Sequence, residues 1–209
     1  MINYETDEER AEAIKKWWKE DGLSILLGLG IGLGAIFGWR IWTDYRETQG
    51  QQASAAFEQL LADADAGNTE SARTQAERLS EEFSATTYAT LASLVRARIE
   101  FQAGNRAGAR AALEQALAAS PDPGLGRIAA LRLIRILIAA GDLDPAASLA
   151  AKHDDGGAFG GTFAALRGDI AAAQGHIAEA RTAYRQALAD GAPHPDRVRM
   201  KLDNLPPAG

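Results

Sequence analysis

Apolar and polar positions change character twice along the chain. Residues 23–42 form one apolar block, in which no charge stands between Gly22 and Trp39 and Ser24 is the only polar side chain. At about 1.5 Å per residue, a helix of that length covers roughly 30 Å, the thickness of a bilayer's hydrocarbon core. Trp17 and Trp18 stand before the block, and Trp39, Trp42 and Tyr45 close it, where aromatic rings meet the headgroups. The block predicts a membrane-spanning helix over 23–42. A cleaved signal peptide fits less well: Glu5, Asp7, Glu8, Glu9 and Glu12 occupy the place of a basic leader. The cleavage-like Ala53-Ser54-Ala55 comes only after Arg40, Asp44, Arg46 and Glu47.

Residues 1–22 read as a cytoplasmic segment with a short amphipathic helix. Thr6-Asp7-Glu8-Glu9 has capping-box form, and Ala11, Ile14, Trp17 and Trp18 share one side. Arg10, Lys15, Lys16 and Lys19 precede the span, against Arg40 and Arg46 close behind it. The positive-inside bias then places the N-terminus in the cytoplasm and residues 43–205 across the membrane. Gly28, Gly30, Gly32, Gly34 and Gly38 supply overlapping small-xxx-small pairs inside the span, a face on which another membrane helix can approach closely.

Beyond residue 42 the apolar positions recur with helical period, in paired segments separated by a repeating signal. Gly67, Gly104, Gly141 and Gly175 follow one another at 37, 37 and 34 residues, and Asn68, Asn105 and Asp142 follow the first three. An alanine stands five positions after each glycine: Ala72, Ala109, Ala146 and Ala180. Glycine with a polar follower makes the left-handed turn between two helices, and the alanine fits a close helix crossing. The spacing resembles the tetratricopeptide repeat. Leu166-Arg167-Gly168, Gly175, Ala180, Tyr184 and Ala187 match it best, and Ala109, Leu113, Ala116 and Pro121 keep it in an earlier copy. Ala76 and Ala150 stand where a larger side chain is usual, and His153 replaces a small residue, so packing there should be looser. Ser120 to Gly126 and Asp154 to Gly161 read as loops, and residues 206–209 as a frayed tail. The expected fold is all-α: one span followed by a solenoid of helical hairpins.

Composition removes several functions. The net charge is −6, against a nucleic-acid binder, and with no cysteine there is neither a disulfide framework nor a thiolate metal site. His153, His176 and His194 have no helical metal-ligand spacing. Neither a nucleophile elbow nor a phosphate-binding loop is present. Asp154-Asp155-Gly156-Gly157 is too short of ligands for a calcium loop. No cofactor and no catalytic residue is expected.

What the hairpins do predict is a concave binding face lined by the first helix of each pair. The repeat register aims Phe57, Leu61, Leu94, Arg98, Phe101, Leu131, Arg135, Ile138 and Asp169 at it. Arg98 and Arg135 hold equivalent places in neighbouring repeats, where two guanidiniums beside apolar side chains would hold a carboxylate of an extended peptide.

The order of these features is similar to the YfgM family of Gram-negative bacteria. The likeness rests on Gly38-Trp39-Arg40-x-Trp42, Leu91-Ala92-Ser93-Leu94, Leu131-Arg132-Leu133, Arg167-Gly168-Asp169 and Met200-Lys201-Leu202-x-Asn204-Leu205. It implies a single-pass inner-membrane anchor with a periplasmic repeat domain and no catalysis. As partners it implies the SecYEG translocon, the membrane-anchored periplasmic chaperone PpiD, translocated polypeptides and membrane lipid. Two other classes fit the residues: a receptor of inverted topology, and a regulator whose cytoplasmic tail restrains a stress-response signalling protein.

Overall fold

The structure, a computed structural model, describes residues 7–207; within the first helix it leaves out the side chains of residues 7–14, 20–21 and 23–25. The expected capping box at Thr6 and the face formed by Ala11 and Ile14 lie outside what is described. The described residues form nine helices joined by turns and short loops, without a strand: α1 (Asp7–Asp65), α2 (Thr69–Glu82), α3 (Thr87–Gln102), α4 (Arg106–Ala119), α5 (Pro123–Ala140), α6 (Leu143–His153), α7 (Gly160–Ala173), α8 (Ile177–Ala189) and α9 (Pro195–Asp203).

Helix α1 runs unbroken through residues 22 and 42. The limits read from the sequence are changes of side-chain chemistry along one helix, since nothing there is a helix breaker strong enough to end it. Compactness divides the chain elsewhere, into residues 1–49 and 50–209. In the first unit Leu26, Leu27, Leu29, Ile31, Leu33, Ile36, Phe37 and Ile41 are all exposed. An apolar surface of that extent, on a helix long enough to cross a membrane, is not the surface of a buried core helix. Trp39 and Trp42 pack at 5.1 Å between ring centroids, and the Arg46 guanidinium lies 4.8 Å over the Trp42 ring.

The second unit is a stack of antiparallel hairpins, and the turns show why they form. Gly67, Gly104, Gly141 and Gly175 have φ of 78°, 79°, 84° and 80°, the left-handed region that costs glycine little. At each turn the amide of the residue after the glycine returns to a carbonyl five residues back: Asn68 to Asp63, Asn105 to Glu100, Asp142 to Leu137 and His176 to Ala171, at 2.8–2.9 Å. The glycine amide closes the inner ring of the same Schellman motif. In the first two turns the asparagine side chain also donates to the acid of that residue pair, Asn68 to Asp63 and Asn105 to Glu100. From the second helix of a pair, Arg73 reaches Glu100 at 2.6 Å and Arg110 reaches Asp142 at 2.8 Å, tying each hairpin to the turn of the next.

The alanines five residues past each turn glycine are fully buried, as the close crossing requires. The core divides into three clusters along the stack. Leu60, Ala72, Ala76, Leu79, Ala92 and Ile99 form the first. The largest, around Leu113, Ile134, Leu137 and Phe163, spans α3 to α7. The third gathers Ala164, Ala180, Tyr184, Ala187 and Val198.

Both expected loops are shorter than their composition suggests. Pro123 opens α5 at its first turn, and Asp122 accepts a hydrogen bond from the Leu125 amide at 2.9 Å as its cap. Gly160 and Gly161 belong to α7. Gly161 is there for closeness: a Cβ on it would stand 2.6 Å from the Ala192 amide nitrogen. Asp154 and Asp155, the acids of the faint calcium-like run, pair with Arg167 and Arg127.

Candidate functional site

Helices α3 and α5, the first members of neighbouring hairpins, lie side by side with α4 behind them. Between them opens a cleft of about 350 Å³. Its floor is apolar, built from Ala97, Leu113, Ile136 and Ala139, with the Phe101 ring at one side. Phe101 is 57% exposed, a large apolar ring left open to solvent. Arg98 from α3 and Arg132 and Arg135 from α5 form the rim, and all three are exposed. None of the three makes an ion pair or a side-chain hydrogen bond among the described residues.

These cations feel one another. The Arg132 guanidinium is pushed below the ordinary arginine range, first by partial burial and then by the charges of Arg135 and Arg98. An arginine does not lose its proton in a protein, so the crowding persists as unneutralised charge over an apolar floor. Chemically, the cleft can take an apolar side chain together with an anionic group.

The residues aimed at a concave face from the sequence separate into four groups. Arg98, Phe101 and Arg135 come together in the cleft, and Ile138 sits half-buried against the core nearby. Leu94 and Leu131 do not line it: both are core residues, 6% and 5% exposed, covered where their helices meet neighbours. One turn further along, an arginine stem carries its head out to water where a leucine stays covered. Phe57 is half-buried in the first cluster, 5.8 Å from the Tyr88 ring, and Leu61 lies exposed on the same helix.

Asp169 serves elsewhere. Its Oδ1 accepts from the Tyr184 hydroxyl at 2.7 Å, and both its oxygens accept from Lys201 Nζ at 2.7 Å. Burial, then the Asp169 contact, pushes the Tyr184 phenol upward. This network fastens α9 to the last hairpin. A Cβ on the adjacent Gly168 would stand 2.5 Å from the Tyr184 ring, so Gly168 lets that ring lie flat on α7. The glycines of the span face open space, with nothing within 4 Å of a Cβ placed on Gly28, Gly30, Gly32, Gly34 or Gly38.

Arg132 was the residue the repeat register did not single out. Its position three residues before Arg135 on one helix face was the available signal.

Residues 15–207 match the model of the tetratricopeptide repeat-like domain family. Three relatives align along nearly their whole length, each named an ancillary SecYEG translocon subunit. The Haemophilus influenzae protein is 33% identical over 95% of this chain and 97% of its own. The Aggregatibacter actinomycetemcomitans protein is 33% identical with the same coverage, and the Escherichia coli protein 30% identical over 98% of this chain and 99% of its own. With the repeat turns, the apolar span and these alignments in agreement, the chain belongs to the YfgM family of ancillary SecYEG translocon subunits.

Proposed function

We propose that the protein is a non-catalytic adaptor of the Sec translocon at the bacterial inner membrane, anchored by the span and presenting its hairpin solenoid on the periplasmic side. The observation that carries the reading is the α3/α5 cleft, apolar in its floor and cationic at its rim, in a chain aligned end to end with translocon subunits. A cleft of this make-up suits a segment of another polypeptide, apolar side chains inward. In this reading the solenoid holds segments of newly translocated proteins and passes them to a membrane-anchored periplasmic chaperone of the PpiD kind. The open glycines of the span, Gly28 and Gly32 on one side and Gly30, Gly34 and Gly38 on another, are where translocon or chaperone helices pack.

A photo-crosslinking residue at Phe101 tests this directly. In native membranes it should capture translocating polypeptide or the periplasmic chaperone, and a crosslinker at Gly34 should capture a membrane helix of the same assembly. Capture from exposed Arg185 on α8 equal to that from Phe101 would remove the cleft from the mechanism.

A further inference from the structure

We infer that the cleft selects polypeptide segments by the sign of their charge, taking an apolar side chain flanked by carboxylates and turning away one flanked by lysine or arginine. This rests on the reading of the α3/α5 cleft as a polypeptide site and adds to it the class of segment held.

Charge complementarity carries the argument. Four arginines elsewhere in the solenoid are neutralised across elements, Arg73 by Glu100, Arg110 by Asp142, Arg127 by Asp155 and Arg167 by Asp154, while Arg106, Arg185 and Arg197 make no ion pair among the described residues. What sets Arg98, Arg132 and Arg135 apart is that they gather at one apolar cleft. The chain has 28 acidic residues and a net charge of −6, yet among the described residues no carboxylate pairs with the three cations at the cleft. Arg98, Arg132 and Arg135 repel one another across an apolar floor and cannot relieve this by losing a proton. Water and salt screen this repulsion only in part, and carboxylates brought by an occupant would relieve it further.

The spacing suits such an occupant. Arg132 and Arg135 are one turn apart, about 4.5 Å along the α5 axis. Arg98 projects from the neighbouring helix, about 8–10 Å from that axis. In an extended segment the neighbours of a floor-facing residue point back toward the rim, where guanidinium heads reach outward on flexible stems. Carboxylates at those places form charge-assisted hydrogen bonds, whereas ammonium or guanidinium groups meet like charge.

The test uses the full-length protein in nanodiscs of zwitterionic lipid and fluorescence anisotropy of three labelled peptides. Their apolar residues are identical and their flanking residues are all Glu, all Gln or all Lys. The Glu peptide should bind about tenfold more tightly than the Gln peptide at low salt, with the gain shrinking as salt screens it, and the Lys peptide more weakly than either. The triple change Arg98→Gln, Arg132→Gln, Arg135→Gln should bring all three peptides within about twofold of one another while the Gln peptide still binds. Arg106→Gln, an exposed arginine on α4, should leave the ranking intact.

Equal binding of the three peptides by the unaltered protein overturns charge selection and leaves the cleft a polypeptide site. Failure of all three to bind overturns both. Self-association of the unaltered protein that the triple change abolishes, read by sedimentation velocity, assigns the cleft to a second copy and overturns the proposal. The peptide comparison is made first on the unaltered protein, so its outcome decides the matter even where the triple variant melts early.

Discussion

Ala72, Ala109, Ala146 and Ala180 show how one side chain fixes the distance between two helices. Each is fully buried, so any added atom must push a neighbour. Ala109→Trp should cost about 1–3 kcal/mol or more, and the same change at exposed Ala118 far less; melting temperatures of the two variants compare them. Gly168→Val should also destabilise by about 1–3 kcal/mol, because the new Cβ would press into the Tyr184 ring, and thermal melts read it directly. His153 behaves differently. It stands where the repeat has a small residue, its Nε2 is buried without a hydrogen-bond partner among the described residues, and burial holds its pKa below the ordinary value, with Lys152 and Arg127 adding to the effect. The folded state therefore resists protonation that the unfolded chain accepts at about pH 6.5. Stability is intact above that pH and falls as the solution is acidified through it. His153→Ala should flatten denaturant midpoints between pH 7 and pH 5. The turn glycines and alanines were legible in the sequence because backbone geometry admits little else at those places. Leu94 and Leu131 were misplaced because burial of a leucine depends on the neighbouring helix, which periodicity alone does not supply.

At the scale of helices, the turn is the unit that repeats most faithfully. Glycine, asparagine and an upstream acid act together at Asp63–Asn68 and Glu100–Asn105, and Ser71, Asn68 and Gln75 hold the Asp63 carboxyl below its usual range. Glycine content misled in one place: Gly160 and Gly161 read as loop formers, yet they open α7, where a side chain on Gly161 would strike the backbone near Ala192. Close approach and turning both ask for glycine, and the sequence does not distinguish the two. The candidate site was half legible. Arg98 and Arg135 stood out through their 37-residue spacing, whereas Arg132 has no counterpart in the preceding repeat, where Val95 occupies that place. Arg98→Glu with Arg135→Glu should abolish capture of a crosslinked polypeptide from Phe101. Helical content and melting temperature should stay nearly unchanged, since both side chains are exposed and unpaired among the described residues. Exposed charges contribute about 1 kcal/mol or less to stability, so a large fall in melting temperature would show that the arginines hold the fold instead.

For the molecule as a whole, the apolar span was the plainest feature of the sequence, because a bilayer's thickness fixes both its length and its composition. The excess of Lys and Arg before the span predicts an N-terminus in the cytoplasm. Alkaline phosphatase fused behind Gly209 should therefore be active, since that enzyme folds only outside the cytoplasm; an inactive fusion of well-expressed protein would reverse the orientation. The three core clusters of the solenoid each draw on neighbouring helices, so its stability accumulates from one hairpin to the next. The end of the stack is an exception in kind. Lys201, in the final helix, grips both oxygens of Asp169 on α7, and Val198 completes the last cluster. As the domain folds, the earlier hairpins can settle one by one, because their contacts are local. The last hairpin must wait for α9, so a chain cut before Pro195 keeps that core open and offers its final hairpin as an early target for proteolysis.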